Sequence, residues 1–246
     1  MLSLGHTGRR ASGVARRLVD PVLAVVFPSR CPACTRHLRR PLRGPLCESC
    51  WAALPTATLA LCPCAGGAVR CPRCRRGLNP LGRGLSLGRH EGPLRQLVHE
   101  LKYRGKRVVA TRLAEQFLLR DEVRALLEPG CVLVPVPLHP RRRRQRGFNQ
   151  SELMARAIAR RCGRRLAAEA LVRRTDTPSQ TGLSAAARRA NLRDAFLVRR
   201  RAALAGRVVV LVDDVFTTSA TARACAQALR AAGAREVRVL TAARVL

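Results

Sequence analysis

The sequence predicts an α/β protein, a parallel sheet flanked by helices and preceded by a small zinc-binding module. Three observations predict it. Apolar β-branched runs such as residues 208–212 (VVVLV) alternate with segments whose apolar residues recur every three or four positions, the pattern of strands covered by helices on both faces. Eight of the 11 cysteines fall between residues 31 and 74, mostly as close pairs. That clustering points to metal and a reducing compartment, not to disulfides. Finally, 47% hydrophobic content over 246 residues is ample for one sizeable domain plus a small satellite.

Residues 1–28 carry basic positions followed by LVDPVLAVVF. Asp20 and Pro21 interrupt that run and no small-residue cleavage site follows, so it reads as an N-terminal amphipathic helix and not as a signal peptide. No run approaches the ~18 apolar residues that span a bilayer. The expectation is a cytoplasmic protein with no transmembrane segment.

Residues 29–76, rich in Cys, Pro and Arg with little periodicity, read as a module held by metal instead of by a core. Five glycines between 77 and 92 read as a loop. Leu94, Leu97, Val98 and Leu101 then place a helix that Gly105 ends, and a second helix covers about 107–120. Together these make 77–130 a loop and helical hood. The core, 131–246, opens on a buried strand at 131–136, and Ser151 offers an N-cap for a helix over 152–161. Strands follow at 166–172, 196–198, 207–212 and 237–240, helices at 184–194 and 221–232, and a polar loop at 175–182.

Cys31-x2-Cys34-x12-Cys47-x2-Cys50 has zinc-ribbon spacing, because each C-x2-C turn presents two thiolates to one tetrahedral ion. A second block, Cys62, Cys64, Cys71 and Cys74, has a first pair one residue short. One or two zinc ions, with pairing within or across blocks, stay open. Four thiolates leave no vacant position, so the zinc is structural. Cys131, Cys162 and Cys225 lie in apolar contexts and read as inert core.

The formal charge of +32 favours polyanionic partners such as nucleic acid, phosphorylated metabolites or an acidic membrane face. An arginine-rich genome accounts for that charge equally well. Yet of 47 basic residues only Lys102 and Lys106 are lysines, and they bracket the single tyrosine, Tyr103, in LKYRGKR. An ammonium is a compact point charge where a guanidinium is a planar fork. Lys102, Tyr103, Arg104 and Lys106 are therefore candidate contacts to phosphate, pyrophosphate or nucleic acid, against the alternative of helix-end lysines favoured by the macrodipole.

Asp213 and Asp214 end the strongest strand, and in open parallel sheets ligands bind beyond the carboxyl ends of strands. Residues 215–220 form a small-residue loop before a helix, whose N–H groups make an anion site, with Thr217, Thr218, Ser219 and Thr221 adding hydroxyls. A phosphate next to vicinal hydroxyls would satisfy both halves. Capping alone would need one polar side chain, not six. Upstream, Gly147 permits close backbone approach beside Arg146, a bidentate anion donor, while Arg141 to Arg144 read equally well as a solvated surface run.

The string VVVLVDDVFTTSAT closely resembles the signature of type I phosphoribosyltransferases for phosphoribosyl pyrophosphate (PRPP). With P-x-P-L at 135–138, RGFNQ at 146–150, ELKYRGKR at 100–107, TPSQTGLSAAARRAN at 177–191 and the leading cysteine block, nearly the whole chain is similar to the ComF family of competence-associated phosphoribosyltransferase-like proteins. The resemblance implies a type I phosphoribosyltransferase-like sheet. It implies that Asp213 and Asp214 bind the ribose hydroxyls of PRPP, that residues 217–221 (Thr217, Thr218, Ser219, Ala220, Thr221) hold its 5′-phosphate, and that Arg146 and Gly147 meet the pyrophosphate.

Asp213, Asp214, Arg146 and Lys102 are the candidate catalytic set for magnesium-dependent transfer of phosphoribose to an unknown acceptor. The resemblance also implies that Gln180, Arg188 and Asn191, candidate anion or nucleic-acid contacts, fall in or beside the loop that closes over substrate. The implied setting is DNA uptake and transformation, with single-stranded DNA and competence-machinery proteins as partners; the alternative is a non-catalytic single-stranded DNA-binding protein on the same fold. Aromatic residues are only 3%, so base stacking would rest on Trp51, Tyr103 and Phe148. The family pattern has Gly where this chain has Ser219, which puts close approach or a positive φ there in question.

Overall fold

The chain is described by a computed structural model over residues 28–55, 57–62, 81–174 and 195–245. The expected N-terminal helix, the loop at 175–182 and the helix at 184–194 lie outside the described residues or nearly so. Cys64, Cys71, Cys74, Gln180, Arg188 and Asn191 lie outside them as well.

In chain order the elements are α1 (Glu48–Ala52), β1 (Leu59–Ala60), β2 (Gly84–Arg89), α2 (Gly92–Tyr103), α3 (Val108–Leu118), α4 (Asp121–Leu126), β3 (Val132–Pro135), α5 (Pro140–Arg146), α6 (Gln150–Cys162), β4 (Arg165–Leu166), β5 (Leu171–Arg173), β6 (Phe196–Val198), β7 (Val208–Phe216), α7 (Ala220–Ala231) and β8 (Glu236–Arg244). The main sheet runs β1-β2-β8-β7-β3-β4. Only the β1–β2 pairing in it is antiparallel. The expected α/β class with a mostly parallel sheet is what the chain adopts.

The two faces of β7 follow from its period of two. Val208, Val210 and Val212 pack with Leu97, Leu101, Leu113 and Ile158 from α2, α3 and α6. Val209 and Leu211 pack with Cys225, Leu229 and Phe196 on the other face. Side chains such as Leu97, Leu113 and Ile158 are fully buried, and burial of each stabilises by about 1.5–3 kcal/mol. The cysteine-rich segment joins the first of these clusters through Leu38, Leu46, Trp51 and Leu54, so its inner side rests on apolar packing as well as on its cysteines.

Several elements differ from the sequence expectation. The glycine-rich stretch expected to be loop contains β2, which pairs in parallel with β8. Its glycines serve close approach: a Cβ on Gly84 would sit 3.1 Å from Leu61 and one on Gly88 2.7 Å from Pro55. The single strand expected at 166–172 is two, β4 on the main sheet and β5 paired with β6. The arginine run is the helix α5, entered through Pro140 in its first turn and closed by Gly147 at φ +74°. The N-cap of α6 is Asn149, whose side chain accepts from the Ser151 amide, and not Ser151. Finally, β7 runs through the acidic pair to Phe216, because Asp213 and Val215 stay in register with Thr241 and Ala243 of β8; the loop expected at 215–220 shrinks to residues 217–219.

The connection from β3 through α5 and α6 leads outward to β4, while that from β7 through α7 leads the opposite way to β8. Adjacent parallel strands whose connections diverge leave a crevice at their carboxyl ends. Here that crevice lies between the end of β3 and Asp213.

Candidate functional site

The crevice is sewn together by the RGFNQS segment. The Asn149 side-chain amide donates to the carbonyl of Val136 just past β3 (3.0 Å), its carbonyl accepts from the Ser151 amide (3.0 Å), and the Ser151 hydroxyl donates to Asp213 Oδ1 (3.0 Å). Asp213 Oδ1 also accepts from the Asp214 amide at 2.9 Å. Burial first, and the neighbouring Asp214 carboxylate second, push Asp213 up to about 7, while the Asp214 amide, Lys102 and Ser151 oppose the rise. Sequence reasoning saw Ser151 only as a cap and gave Asn149 no role. The pair of hydrogen-bonding residues at the head of a helix after a strand end was the available signal.

Asp214 is buried, and Lys102 from the last turn of α2 reaches it, Nζ to Oδ1 3.1 Å. The other oxygen, Oδ2, is buried and without a hydrogen-bond partner. Lys102 thus sits with the acids, as expected. Lys106 does not: its ammonium is 2.8 Å from Glu100, a buried carboxylate that also pairs with Arg104 at 3.3 Å. Lys106, a candidate anion contact, instead ties the turn after α2 to that helix. Glu100 is a residue that sequence reasoning missed, since a buried acid on an apolar helix face looks like any surface glutamate until its partners are placed.

Arg146 and the 102–106 segment meet. The Arg146 guanidinium lies 5.4 Å over the exposed Tyr103 ring and donates to Gln150 at 2.8 Å, while Arg107 lies 5.8 Å from the Phe148 ring. His90, just after β2, is held below its usual range by burial, then by Lys102 and Arg95. Of the rings expected to stack on bases, Trp51 is buried and Phe148 is partly buried, and only Tyr103 stands in solvent. That corrects the expectation of three stacking platforms.

After Phe216 the chain turns through Thr217 and Thr218, both exposed, into α7. Ser219 is the N-cap at φ +63°, a left-handed conformation, and its side chain makes no capping hydrogen bond. The first amides of α7, including those of Ala220 and Thr221, have no partner within the helix. They point from the helix N-terminus with its partial positive charge. A carboxylate pair, an uncapped helix N-terminus and threonine hydroxyls thus follow one another at the crevice.

The metal centre is separate. The sulfur atoms of Cys31, Cys34, Cys47 and Cys50 all lie within 4.8 Å of one another, and those of Cys34 and Cys47 are 3.5 Å apart. A tetrahedron with zinc–sulfur bonds of about 2.3 Å has edges of about 3.8 Å, so the four fit one zinc ion. The backbone and side chain of Arg36 lower Cys34, the Ser49 hydroxyl lowers Cys47 to about 6, and burial raises Cys50. Cys62 is described, but its expected co-ligands are not. Cys131 and Cys225 are buried, with thiols raised by desolvation, as inert core cysteines are. No helix among the described residues is long and apolar enough to cross a membrane.

No family model matches the chain. Among characterised sequences it is 34% identical to the DNA utilization protein YhgH of Salmonella typhimurium over 220 residues, 88% of this chain and 90% of that protein. It is 34% identical to YhgH of Escherichia coli K12 over 231 residues, 90% of this chain and 100% of that protein. Competence protein F of Haemophilus influenzae is 30% identical over 227 residues, 89% of this chain and 98% of that protein. Near-complete coverage at this identity, on the sheet and cysteine cluster described above, makes the chain a member of the ComF family.

Proposed function

We propose that the crevice at the end of β7 binds a ribose 5-phosphate-type ligand, PRPP being the favoured one, and that the chain uses it in the handling of DNA. The observation that carries the reading is the placement of Asp213 and Asp214 near the end of β7, one short turn before an uncapped helix N-terminus at the sheet's switch point. Carboxylates accept from vicinal hydroxyls, and helix amides with Thr217, Thr218 and Thr221 donate to a phosphate. The DNA setting is supported by the relatives named for DNA utilization and competence.

Lys102 has a defined part in this reading. It pairs with Asp214 and holds that side chain in place while no ligand is present. A ribose that takes Asp214 displaces the ammonium, which then serves the ligand's phosphates. Arg146, stacked on Tyr103, stands ready for the pyrophosphate. Magnesium enters as the companion of the diphosphate, part of the substrate and not a resident ion. Transfer to an acceptor would form a bond to C1′ as the bond to pyrophosphate breaks, its electron pair leaving with the pyrophosphate.

Calorimetric titration of magnesium–PRPP into wild type and Asp214→Asn tests the reading. Wild type binds, and the variant, offering an amide where a charged acceptor stood, binds at least about tenfold more weakly. Absence of binding to wild type overturns it. Pyrophosphate release on addition of an acceptor would add catalysis to binding.

A further inference from the structure

Beside the cysteine cluster lies a second concavity, about 280 Å³, lined by Arg36, Arg39, Arg40, Arg43 and Arg112 around Trp51. We propose that this cleft is the seat of a single nucleic-acid strand, gripped through its phosphates. The proposal rests on the reading that the chain handles DNA, and it assigns that contact to a surface apart from the sugar-phosphate crevice.

The lining decides the chemistry. One acid, Glu48, stands among the five guanidiniums, and it pairs with Arg40 at 3.3 Å. Arg39 and Arg43 have no acidic partner among the described residues. Arg112 lies 4.8 Å over the Trp51 ring and pairs with Glu115 at 3.0 Å. The indole Nε1 of Trp51 is buried with no hydrogen-bond partner, an N–H donor left for something that carries acceptors. A ligand matching planar guanidinium forks and an unpaired N–H is one whose polar surface is all acceptor, and phosphate is that group.

The charge decides the number of phosphates. Arg36 bonds Cys34, Arg40 pairs with Glu48 and Arg112 with Glu115, which leaves Arg39 and Arg43 for the ligand; two guanidiniums match two successive phosphodiesters, each carrying one negative charge. A strand does this; the small concave shape excludes a duplex and does not suit a flat lipid surface. Trp51, 7% exposed, does not stack on a base, so recognition here is of backbone and is tolerant of sequence. Four of the five arginines lie between Cys34 and Cys47, on the loop whose two ends the cysteine pairs clamp. The metal centre thus holds their geometry before the strand arrives.

Trp51 is the sole tryptophan of the chain, so its emission reports on this cleft and not on the crevice. The experiment titrates oligo(dT) into the full zinc-loaded protein at several salt concentrations while following that emission. Arg39→Gln/Arg43→Gln is the paired variant, both residues being exposed; zinc content and thermal unfolding verify its fold, and magnesium–PRPP binding reports separately on the crevice. The expected result is an emission change on binding, affinity that falls with salt, and at least a tenfold loss in the double variant. Its log–log salt slope should be shallower by about 1.4, two contacts at about 0.7 each. The proposal is overturned if oligo(dT) binds without changing Trp51 emission, or if the double variant keeps wild-type affinity and slope. It is equally overturned if inorganic phosphate alone reproduces the full change at similar concentration, or if phosphatidylserine vesicles do so and oligo(dT) does not. Wild type that binds magnesium–PRPP but not oligo(dT) overturns this proposal alone, and wild type that binds oligo(dT) but not magnesium–PRPP overturns the crevice reading alone.

Discussion

The cysteine module and the acidic crevice hold their functional groups by opposite means. In the module, four sulfurs are brought within 4.8 Å by loops and the short helix α1, and an ion is what makes that closeness favourable. In the crevice, two carboxylates are brought together by nine residues of strand between two parallel neighbours, and hydrogen bonds from Ser151 and the Asp214 amide plus one ammonium make that closeness tolerable. A site built on a sheet keeps its shape without its ligand; a site built on loops does not.

The largest expected effect breaks the module. Cys47→Ser should lower bound zinc by one equivalent and destabilise the chain by several kcal/mol, on the order of half the ~10 kcal/mol that zinc contributes to small zinc-held peptides. Because Leu46, Trp51 and Leu54 share a cluster with α2 and α3, the loss reaches beyond the module. Metal analysis together with chemical denaturation measures it; unchanged stability with zinc lost would mean that apolar packing alone holds the module.

The next concerns protons in the crevice. Asp213 titrates at about 7 in the folded chain and near 4 when unfolded, so between those values the folded state binds the extra proton. Stability therefore falls as pH rises from about 4 to about 7, by at most about 1.4 kcal/mol per pH unit, and is flat above. Asp213→Asn should remove that decline. Denaturant unfolding at pH 5 and pH 8 compares the two proteins, and equal pH dependence would count against a buried, coupled Asp213.

The smallest concerns Ser219. A non-glycine residue at φ +63° costs about 1 kcal/mol, so Ser219→Gly should raise stability by about that amount. A neutral or destabilising result, read in the same unfolding assay, would mean that the serine hydroxyl compensates locally.

Much of this was legible in the chain itself, for reasons that differ by element. The β-branched run of β7 and the three- and four-residue spacing of Leu94, Leu97, Val98 and Leu101 signal burial directly, and both elements appear where expected. The C-x2-C pairs specify their own geometry, and four sulfurs converge. Even the doubt at Ser219 pointed to a real feature, since that residue adopts a positive φ. What escaped was decided by neighbours distant in sequence. Gly84 and Gly88 look like turn residues until Leu61 and Pro55 press on them. Asp213 and Asp214 look like a strand terminus until β8 continues the ladder past them. The arginines at 141–144 look like solvated coil, although arginine is a good helix former once Pro140 and Gly147 bound the segment. Lys106 and Glu100 reveal themselves as a pair only when the turn after α2 is folded.

The pairing of β2 with β8 has a consequence for how the protein is made. The strand at 84–89 leaves the ribosome early, and its parallel partner at 236–244 follows only after every other described strand has been synthesised. Until then the edge of β2 facing β8 has nothing to bond, and contacts this remote in sequence form slowly. The cysteine cluster, complete by residue 50, can take its metal during that wait. The nascent chain would then carry one finished part and one unfinished sheet, and a chaperone that shields strand edges would find its substrate in the interval between them.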